Sequence, residues 1–382
     1  MLIETISPVH IGGKEQTLSF LDYVVSKDRI FVANENALLQ EMEKKGVLKD
    51  FTQGVIQKQR TGENDLTSLI KSYGAYDNTF VNAISAYTVS KNFVLGASDK
   101  PEIKPFVRNG HYQPYIPGSS LKGSIRTAIL YNYLKKVSRN DYERVVSTFK
   151  KKINEVPRGK VMKEWEQKRF SEKFLTSIFN SYYLSQESKN DYRYRFGPNT
   201  DIMRAIQISD TPPLNKNSLE LNRVRVLNYK RGEEKLLGIK MSPECIPVGK
   251  KIESFLKVDT QVLKYFKENN GKQLPFNSEK DIINCCNEFS KDIIRSEISY
   301  YEGFKNVNTE DILEFYNGLD ANLKLGWGSG LTATTIFLLL ESESDKYKSI
   351  FKNYSSEIPV SRRVVTTENN EIVSSLGWVK IS

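Results

Sequence analysis

The stretch Tyr115-Ile-Pro-Gly-Ser-Ser-Leu-Lys-Gly-Ser-Ile-Arg126 limits what the chain around it can form. Pro117-Gly118 demands a tight turn after an extended segment. Leu121, Ile125, Ala128 and Ile129 then recur at helical spacing. The pattern predicts a strand end, a turn and a helix running to about Val137. Ser119 or Ser120 is placed to cap that helix by accepting from its free backbone N–H groups. The same N–H groups form an anion site. Lys122 falls in the first turn, where the helix dipole disfavours a cation. Arg126 lies one turn further on the same face. These residues suit a phosphate held between amides and side chains. They also fit an ordinary loop followed by a capped helix with a solvated lysine and arginine.

The surroundings favour an anion. Between Ile103 and Asn140 stand Lys104, Arg108, Lys122, Arg126, Lys135, Lys136 and Arg139, with no acidic residue among them. Phe106, Tyr112, Tyr115, Tyr131 and Tyr133 are interleaved. Cations alternating with aromatics suit a nucleic-acid backbone with exposed bases. The whole chain of 382 residues carries 56 basic and 46 acidic residues, a net +10, which points to the same kind of partner. No apolar run is long enough to span a membrane, and residues 1–6 lack a secretory pattern. Cys245, Cys285 and Cys286 do not have zinc or disulfide spacing, so reduced thiols and a cytoplasmic location are expected. His10 and His111 are the only histidines, which restricts histidine-dependent catalysis. No acidic cluster has metal-ligand spacing.

In chain order, the pattern predicts a strand at 2–6, a turn at 9–14 and a hairpin from Phe20–Val25 and Arg29–Val32. A helix over 35–45, capped by Asn34 and stopped by Gly46, follows. Residues 48–76 are weakly helical, and Thr79–Val94 reads as a strand. The charged block at about 141–190 reads as a helical insertion with a solvated face. Gly197-Pro198 marks a boundary. Strands are predicted at 202–209, 221–229, 236–241 and 251–258, helices at 282–300 and 309–319, and a last strand at 376–381. Leu325-Gly-Trp-Gly-Ser-Gly330 lets backbone pass very close to a neighbour. It lacks both the dinucleotide fingerprint and the Walker ending, so no nucleotide cofactor is expected.

Five segments recur together: Thr5-Ile-Ser-Pro-Val-His-Ile-Gly-Gly13, Ile116–Arg126, Asp201-Ile-Met-Arg-Ala-Ile-Gln-Ile-Ser-Asp210, Leu325–Gly330 and Leu376-Gly-Trp-Val379. This set resembles the RAMP superfamily of CRISPR RNA-binding proteins. Length and motif order are most similar to the fifth Csm subunit of type III-A effector complexes. The resemblance implies an α+β fold of two ferredoxin-like, RRM-related domains with helical insertions, at 1–198 and 199–382. It implies a non-catalytic subunit that caps the filament near the crRNA 3′ end and contributes to crRNA maturation and antiviral defence. Its implied partners are crRNA, the repeated backbone RAMP subunit and other Csm subunits, with host nucleases trimming the crRNA 3′ end. Carried over by position, Gly118, Ser119, Ser120, Lys122 and Arg126 contact RNA, with Lys324, Gly326, Trp327, Gly328 and Gly330 from the glycine-rich loop. Arg204, His10 and Lys14 complete the expected RNA-binding set. The rival reading is a metal-independent RAMP endoribonuclease that processes precursor crRNA, with His10 as its acid or base. A third reading makes the charged block a docking surface for other subunits, and is compatible with the first.

Overall fold

The computed structural model describes residues 1–13, 17–61, 65–91, 93, 102–137, 147, 179, 200–230, 233–270, 274–341 and 361–382. Lys14, the Arg231-Gly232 turn, nearly all of the block 141–190 and the boundary at Gly197-Pro198 lie outside them. From the N-terminus come β1 (Leu2–Thr5), the hairpin β2 (Tyr23–Val25) and β3 (Arg29–Ala33), and helices α1 (Glu35–Lys44), α2 (Leu48–Thr61), α3 (Leu66–Ser72) and α4 (Asn78–Ile84). Then follow β4 (Ser85–Lys91), β5 (Ile103–Lys104) and the long helix α5 (Gly118–Lys136). A 3-10 turn at Ile202–Ala205 leads into β6 (Ile206–Ile208), β7 (Glu220–Leu221), β8 (Val224–Lys230), β9 (Glu233–Leu236), β10 (Ser242–Cys245), β11 (Lys251–Glu253) and β12 (Leu256–Val258). The remainder is α6 (Thr260–Asn270), α7 (Glu279–Glu302), α8 (Glu310–Asn317), β13 (Leu323–Lys324), the short helices α9 (Gly330–Thr334) and α10 (Phe337–Glu341), and β14 (Ser361–Thr366), β15 (Ile372–Ser375) and β16 (Trp378–Ile381). The architecture is α+β.

Local chemistry explains the element ends. The Asn34 side chain accepts from the Ala37 N–H at 3.0 Å and starts α1, and Gly46 ends that region at φ +72°. Ser278 accepts from the Asp281 N–H and starts α7. The buried stripe of α7, Ile282, Cys285, Cys286, Phe289 and Ile293, packs on α5. There Tyr131 and Phe289 bring ring centroids to 4.6 Å, and the Asn132 amide donates to the Cys285 carbonyl at 2.8 Å. Each large apolar side chain buried this way contributes roughly 1.5–3 kcal/mol.

Among the described residues the strands form four sheets, ordered β11-β1-β16-β13, β2-β3-β4-β7-β10-β5, β12-β6 and β15-β14-β8-β9. In the first, β1 sits between β11 and β16 and is antiparallel to both, with Ile3 opposite Ile252 and Ile381. In the second, β4 runs parallel to β7. Both sheets therefore draw strands from either side of residue 198, and the main core does the same, joining Ile3, Phe106 and Ile125 to Ile202, Phe289 and Trp378. A separate cluster of Leu38, Met42, Phe51, Leu69 and Phe80 lies among α1–α4. No helix among the described residues is long and apolar enough to cross a membrane, and the three cysteines are free and buried.

Six expectations need correction. The single strands predicted at 221–229 and 251–258 each divide into two, β7 with β8 and β11 with β12, whose members lie in different sheets. Thr79–Val94 is not one strand: Asp77 accepts from the Phe80 N–H at 2.7 Å and caps α4, which precedes β4. Residues 202–209 are not one strand either, because the Asp201 carboxylate turns the Met203 N–H inward and makes a 3-10 turn before β6. The predicted strand at 236–241 is the end of β9 and an isolated bridge at Met241. Residues 9–13 are bridging backbone rather than a free turn, with Val9 paired to Ile246 and Gly12 to Phe106.

Candidate nucleic-acid interface

The two glycine-containing motifs have different surroundings. At the start of α5 the cap is Pro117, and neither serine caps the helix. Ser119 is exposed and Ser120 half-buried in the first turn. The anion at this helix start belongs to the chain itself, since the Gly118 N–H donates to the Asp210 carboxylate at 2.7 Å. A Cβ on Gly118 would meet the Ile208 carbonyl at 2.7 Å, so only glycine fits against this strand. The Lys122 ammonium donates to the Ile206 carbonyl at 2.7 Å, and Arg126 pairs with Asp201 at 3.2 Å. Burial pushes the Lys122 ammonium below the ordinary lysine range, and the Asp201 carboxylate opposes that shift. The Arg126 guanidinium also lies 4.9 Å from the Phe179 ring centroid. Segment 116–126 is thus clamped to segment 201–210, the two motifs gripping one another. Arg204 lies on the exposed side of the intervening 3-10 turn.

Around His10 three other motifs meet backbone to backbone. The Trp327 N–H donates to the His10 carbonyl at 2.9 Å, Leu325 to Gly377 at 2.7 Å, and Gly377 to Pro8 at 2.9 Å. The contacts are too close for any side chain. A Cβ on Gly326 would stand 2.1 Å from the His10 carbonyl, and one on Gly377 2.3 Å from the Leu325 carbonyl; both glycines have positive φ, +72° and +90°. Gly328, at φ +93°, is crowded by Leu376, whereas Gly330 has open space. His10 is only 2% exposed. Its Nδ1 lies 2.7 Å from the Glu244 carbonyl, an acceptor only, so Nδ1 carries the proton and Nε2 the lone pair. Burial pushes the His10 pKa down to about 4, keeping the ring neutral near pH 7. Its edge meets the rings of Phe106 and Trp327, with centroids 6.1 and 5.7 Å away.

Beside this junction opens a cleft of about 430 Å³, lined by residues that include His10, Gly12, Gly13, Lys104 and Trp327. Lys104 and Arg363 both sit by the Trp327 ring, 5.7 and 4.6 Å from its centroid. Beneath it, Glu244 is fully buried and takes the Phe106 N–H at 2.9 Å and the Arg108 guanidinium at 3.0 Å. Arg108 is therefore a structural ion pair, stacked 3.6 Å from the Tyr87 ring centroid.

Lys324, by contrast, does not line the cleft. It is 6% exposed, its ammonium 5.0 Å from the Trp378 ring centroid, and burial pushes its pKa down to about 8 against the pull of the buried Glu297. Glu297 receives Arg362 through both oxygens, at 3.0 and 2.9 Å, and Thr332 at 3.1 Å. This network supports the loop from behind. The expected set thus divides into Gly118, Ser119, Ser120, Lys122, Arg126 and Arg204 at the α5 clamp, and His10, Gly326, Trp327, Gly328 and Gly330 at the junction. Helix α5 connects them, packing against β13 and α9 on either side of the glycine-rich loop. Sequence reasoning missed Glu244, Glu297 and Arg363. Glu297 did leave a signal, a carboxylate set between Ile293 and Tyr301 on the buried stripe of α7.

Comparisons with known proteins bear on this arrangement. The chain is 24% identical over 428 aligned residues to the CRISPR system Cms protein Csm5 of Methanocaldococcus jannaschii, covering 99% of this chain and 87% of that protein. It is 24% identical to the Csm5 of Streptococcus thermophilus over 78% of this chain and 74% of that protein. Its fold matches a chain in the cryo-EM structure of a Csm–crRNA–target RNA ternary complex of a type III-A CRISPR-Cas system, with TM-score 0.68, 23% identity, and 100% and 99% of the two chains covered. It also matches the crystal structure of T. onnurineus Csm5, with TM-score 0.67 and 23% identity over 100% of both chains. The model of the RAMP superfamily matches residues 2–332, most of the chain, and the protein belongs to that superfamily.

Proposed function

We propose that this protein is a crRNA-binding subunit of a type III-A Csm effector complex. In this reading it caps the filament near the crRNA 3′ end, beside the repeated backbone subunit, and contributes to crRNA maturation without cleaving RNA itself. The two halves, 1–198 and 199–382, each derive from a ferredoxin-like unit. Host nucleases then trim the crRNA 3′ end, and the charged block 141–190 offers a docking surface.

The observation that carries the reading is the cleft beside the glycine-rich loop, lined by an indole, the Lys104 cation and glycine backbone, with a second cation, Arg363, on the same indole. These are the parts needed to hold a single strand by phosphate charge and base stacking. The exposed Ser119 and Arg204 and the half-buried Ser120 extend the track along α5, over the clamp that Lys122 and Arg126 hold. Catalysis by His10 is disfavoured by its burial and by its neutral, carbonyl-tethered ring. Titrating the full chain with a labelled single-stranded crRNA tests the reading. The logarithm of the affinity is expected to fall with the logarithm of salt by about 0.7 per phosphate neutralised. Salt-insensitive binding, or site-specific cleavage of precursor RNA in EDTA that is lost in His10→Ala, overturns it.

A further inference from the structure

We propose that the cleft beside Trp327 holds one unstacked nucleotide of a single RNA strand, its base against the indole and its phosphate answered by Lys104 and Arg363. This rests on the RNA-binding reading above and goes beyond it by naming the occupant and the two cations that answer its phosphate, one of which, Arg363, sequence reasoning did not place in the site.

Three observations converge. The first is charge. Lys104 and Arg363 stand on one indole, 5.7 and 4.6 Å from its centroid, and neither forms an ion pair with a carboxylate among the described residues. With no carboxylate to answer them among the described residues, both cations are open to an anion brought by a ligand. Elsewhere in the molecule three arginines are answered internally: Arg126 by Asp201, Arg108 by Glu244 and Arg362 by Glu297.

The second is the floor. Gly12 and Gly13 line the cleft, yet packing does not require glycine at either. A Cβ on Gly12 would come no nearer than 3.5 Å to the His10 ring, and one on Gly13 no nearer than 3.7 Å to Val107, both ordinary contacts. Neither has a positive φ. At Gly326 and Gly377 the protein's own backbone explains the missing side chain. At Gly12 and Gly13, which line the cleft, it does not. A ligand brought against bare backbone supplies the reason.

The third is size. The cleft, at about 430 Å³, falls in the roughly 300–1,000 Å³ range of sites that bury a single small molecule. It admits one nucleotide lifted from its neighbours and excludes a paired helix. Trp327 is half-exposed while its backbone is pinned to His10, so the ring is presented at fixed height with little ordering left to lose.

The test uses the full chain and a set of twelve-nucleotide single-stranded RNAs (about one site's length), each carrying 2-aminopurine at one position. One position is expected to lose its emission on binding, as its base stacks on the indole. Trp327→Ala is expected to restore that emission and Trp327→Phe to keep part of the quenching. Lys104→Ala and Arg363→Ala are each expected to weaken binding about tenfold and to lower the salt slope by about one phosphate's worth. Gly12→Ala with Gly13→Ala is expected to weaken binding while leaving the urea midpoint unchanged. Free adenosine monophosphate at equal concentration is not expected to displace the strand. Undiminished affinity and quenching in Trp327→Ala and Lys104→Ala overturns the subsite and leaves the RNA-binding reading standing. No binding of any strand by the wild-type chain at low salt overturns that reading instead. Displacement by the free nucleotide overturns the assignment to a strand.

Discussion

The start of α5 and the cleft beside Trp327 carry the same kinds of residue, glycine beside lysine and arginine, and use them in opposite ways. At α5 the space over Gly118 is filled by the 206–209 strand, and Asp210 and Asp201 meet the charges. At the cleft a Cβ on Gly12 or Gly13 would meet only ordinary contacts, and Lys104 and Arg363 meet no carboxylate among the described residues. Phosphate-binding equipment in a sequence is therefore not enough to locate a phosphate. What separates a clamp from a site is whether the chain brings its own anion and its own backbone to the same spot.

Substitutions can break this contrast or sharpen it. The largest effect is expected at the junction, because Gly326→Ala sets a Cβ 2.1 Å from the His10 carbonyl at a φ that side chains avoid. A loss of about 4 kcal/mol, read as a shift in urea midpoint, is the expected outcome. If the variant is as stable as the wild type, the three motifs do not meet as described. Next comes pH. The His10 pKa falls from 6.5 unfolded to about 4 folded, so below pH 6.5 the unfolded chain takes up a proton that the native chain refuses. Stability from this group is whole above pH 6.5 and is lost progressively down to about pH 4, by roughly 3 kcal/mol. His10→Gln is expected to flatten that part of the urea–pH profile, and an unchanged slope sinks the assignment.

Smaller is the clamp. Lys122→Ala with Arg126→Ala leaves the Ile206 carbonyl and Asp201 without their partners. About 2 kcal/mol of stability is expected to go with them, so any fall in RNA affinity must be read beside a denaturation curve. Loss of RNA affinity with an unchanged urea midpoint would show these two cations acting on RNA directly. The smallest effect is expected from Asp210→Ala, about 1 kcal/mol, by removal of the acceptor on the Gly118 N–H. That variant frees the helix start, and if it binds single-stranded RNA more tightly, the clamp masks an anion site.

Much of the local structure was legible because its signals are local. Asn34 and Gly46 mark α1, alternation marks the β2–β3 hairpin, and apolar spacing marks α5 and α7. The errors came where a short polar signal overrode a longer pattern. The β-branched run after Thr79 read as strand, yet Asp77 caps a helix through it. The alternation in 202–209 read as strand, yet Asp201 turns its first residues. Helix α6 was overlooked, although Asp259 accepts from the N–H groups of Gln261 and Val262 at its start. Of the candidate site, the motifs themselves were legible and their partners were not. Nothing near Lys122 in sequence announces Ile206 as its acceptor. Nothing near Lys324 announces that Glu297 and Trp378 surround it. Those contacts join residues far apart along the chain, through strands of two to four residues whose pairing no periodicity fixes.

The pairing of β1 with β16 sets the order in which the molecule can be built. Residues 3–5 find partners at 379–381, and Pro8 finds one at Gly377. As the chain leaves the ribosome, β1 must wait for β11 and then, later still, for β16 before both its edges are paired. The hairpin β2–β3 and helices α1–α4 need no such wait, since their contacts are near in sequence. The junction around His10, and the cleft beside it, therefore assemble late. A chain cut short before residue 376 can form its local helices yet lacks Gly377 and Trp378, which close the junction. Completion of the junction thus waits on residues 376–379, a consequence of topology alone.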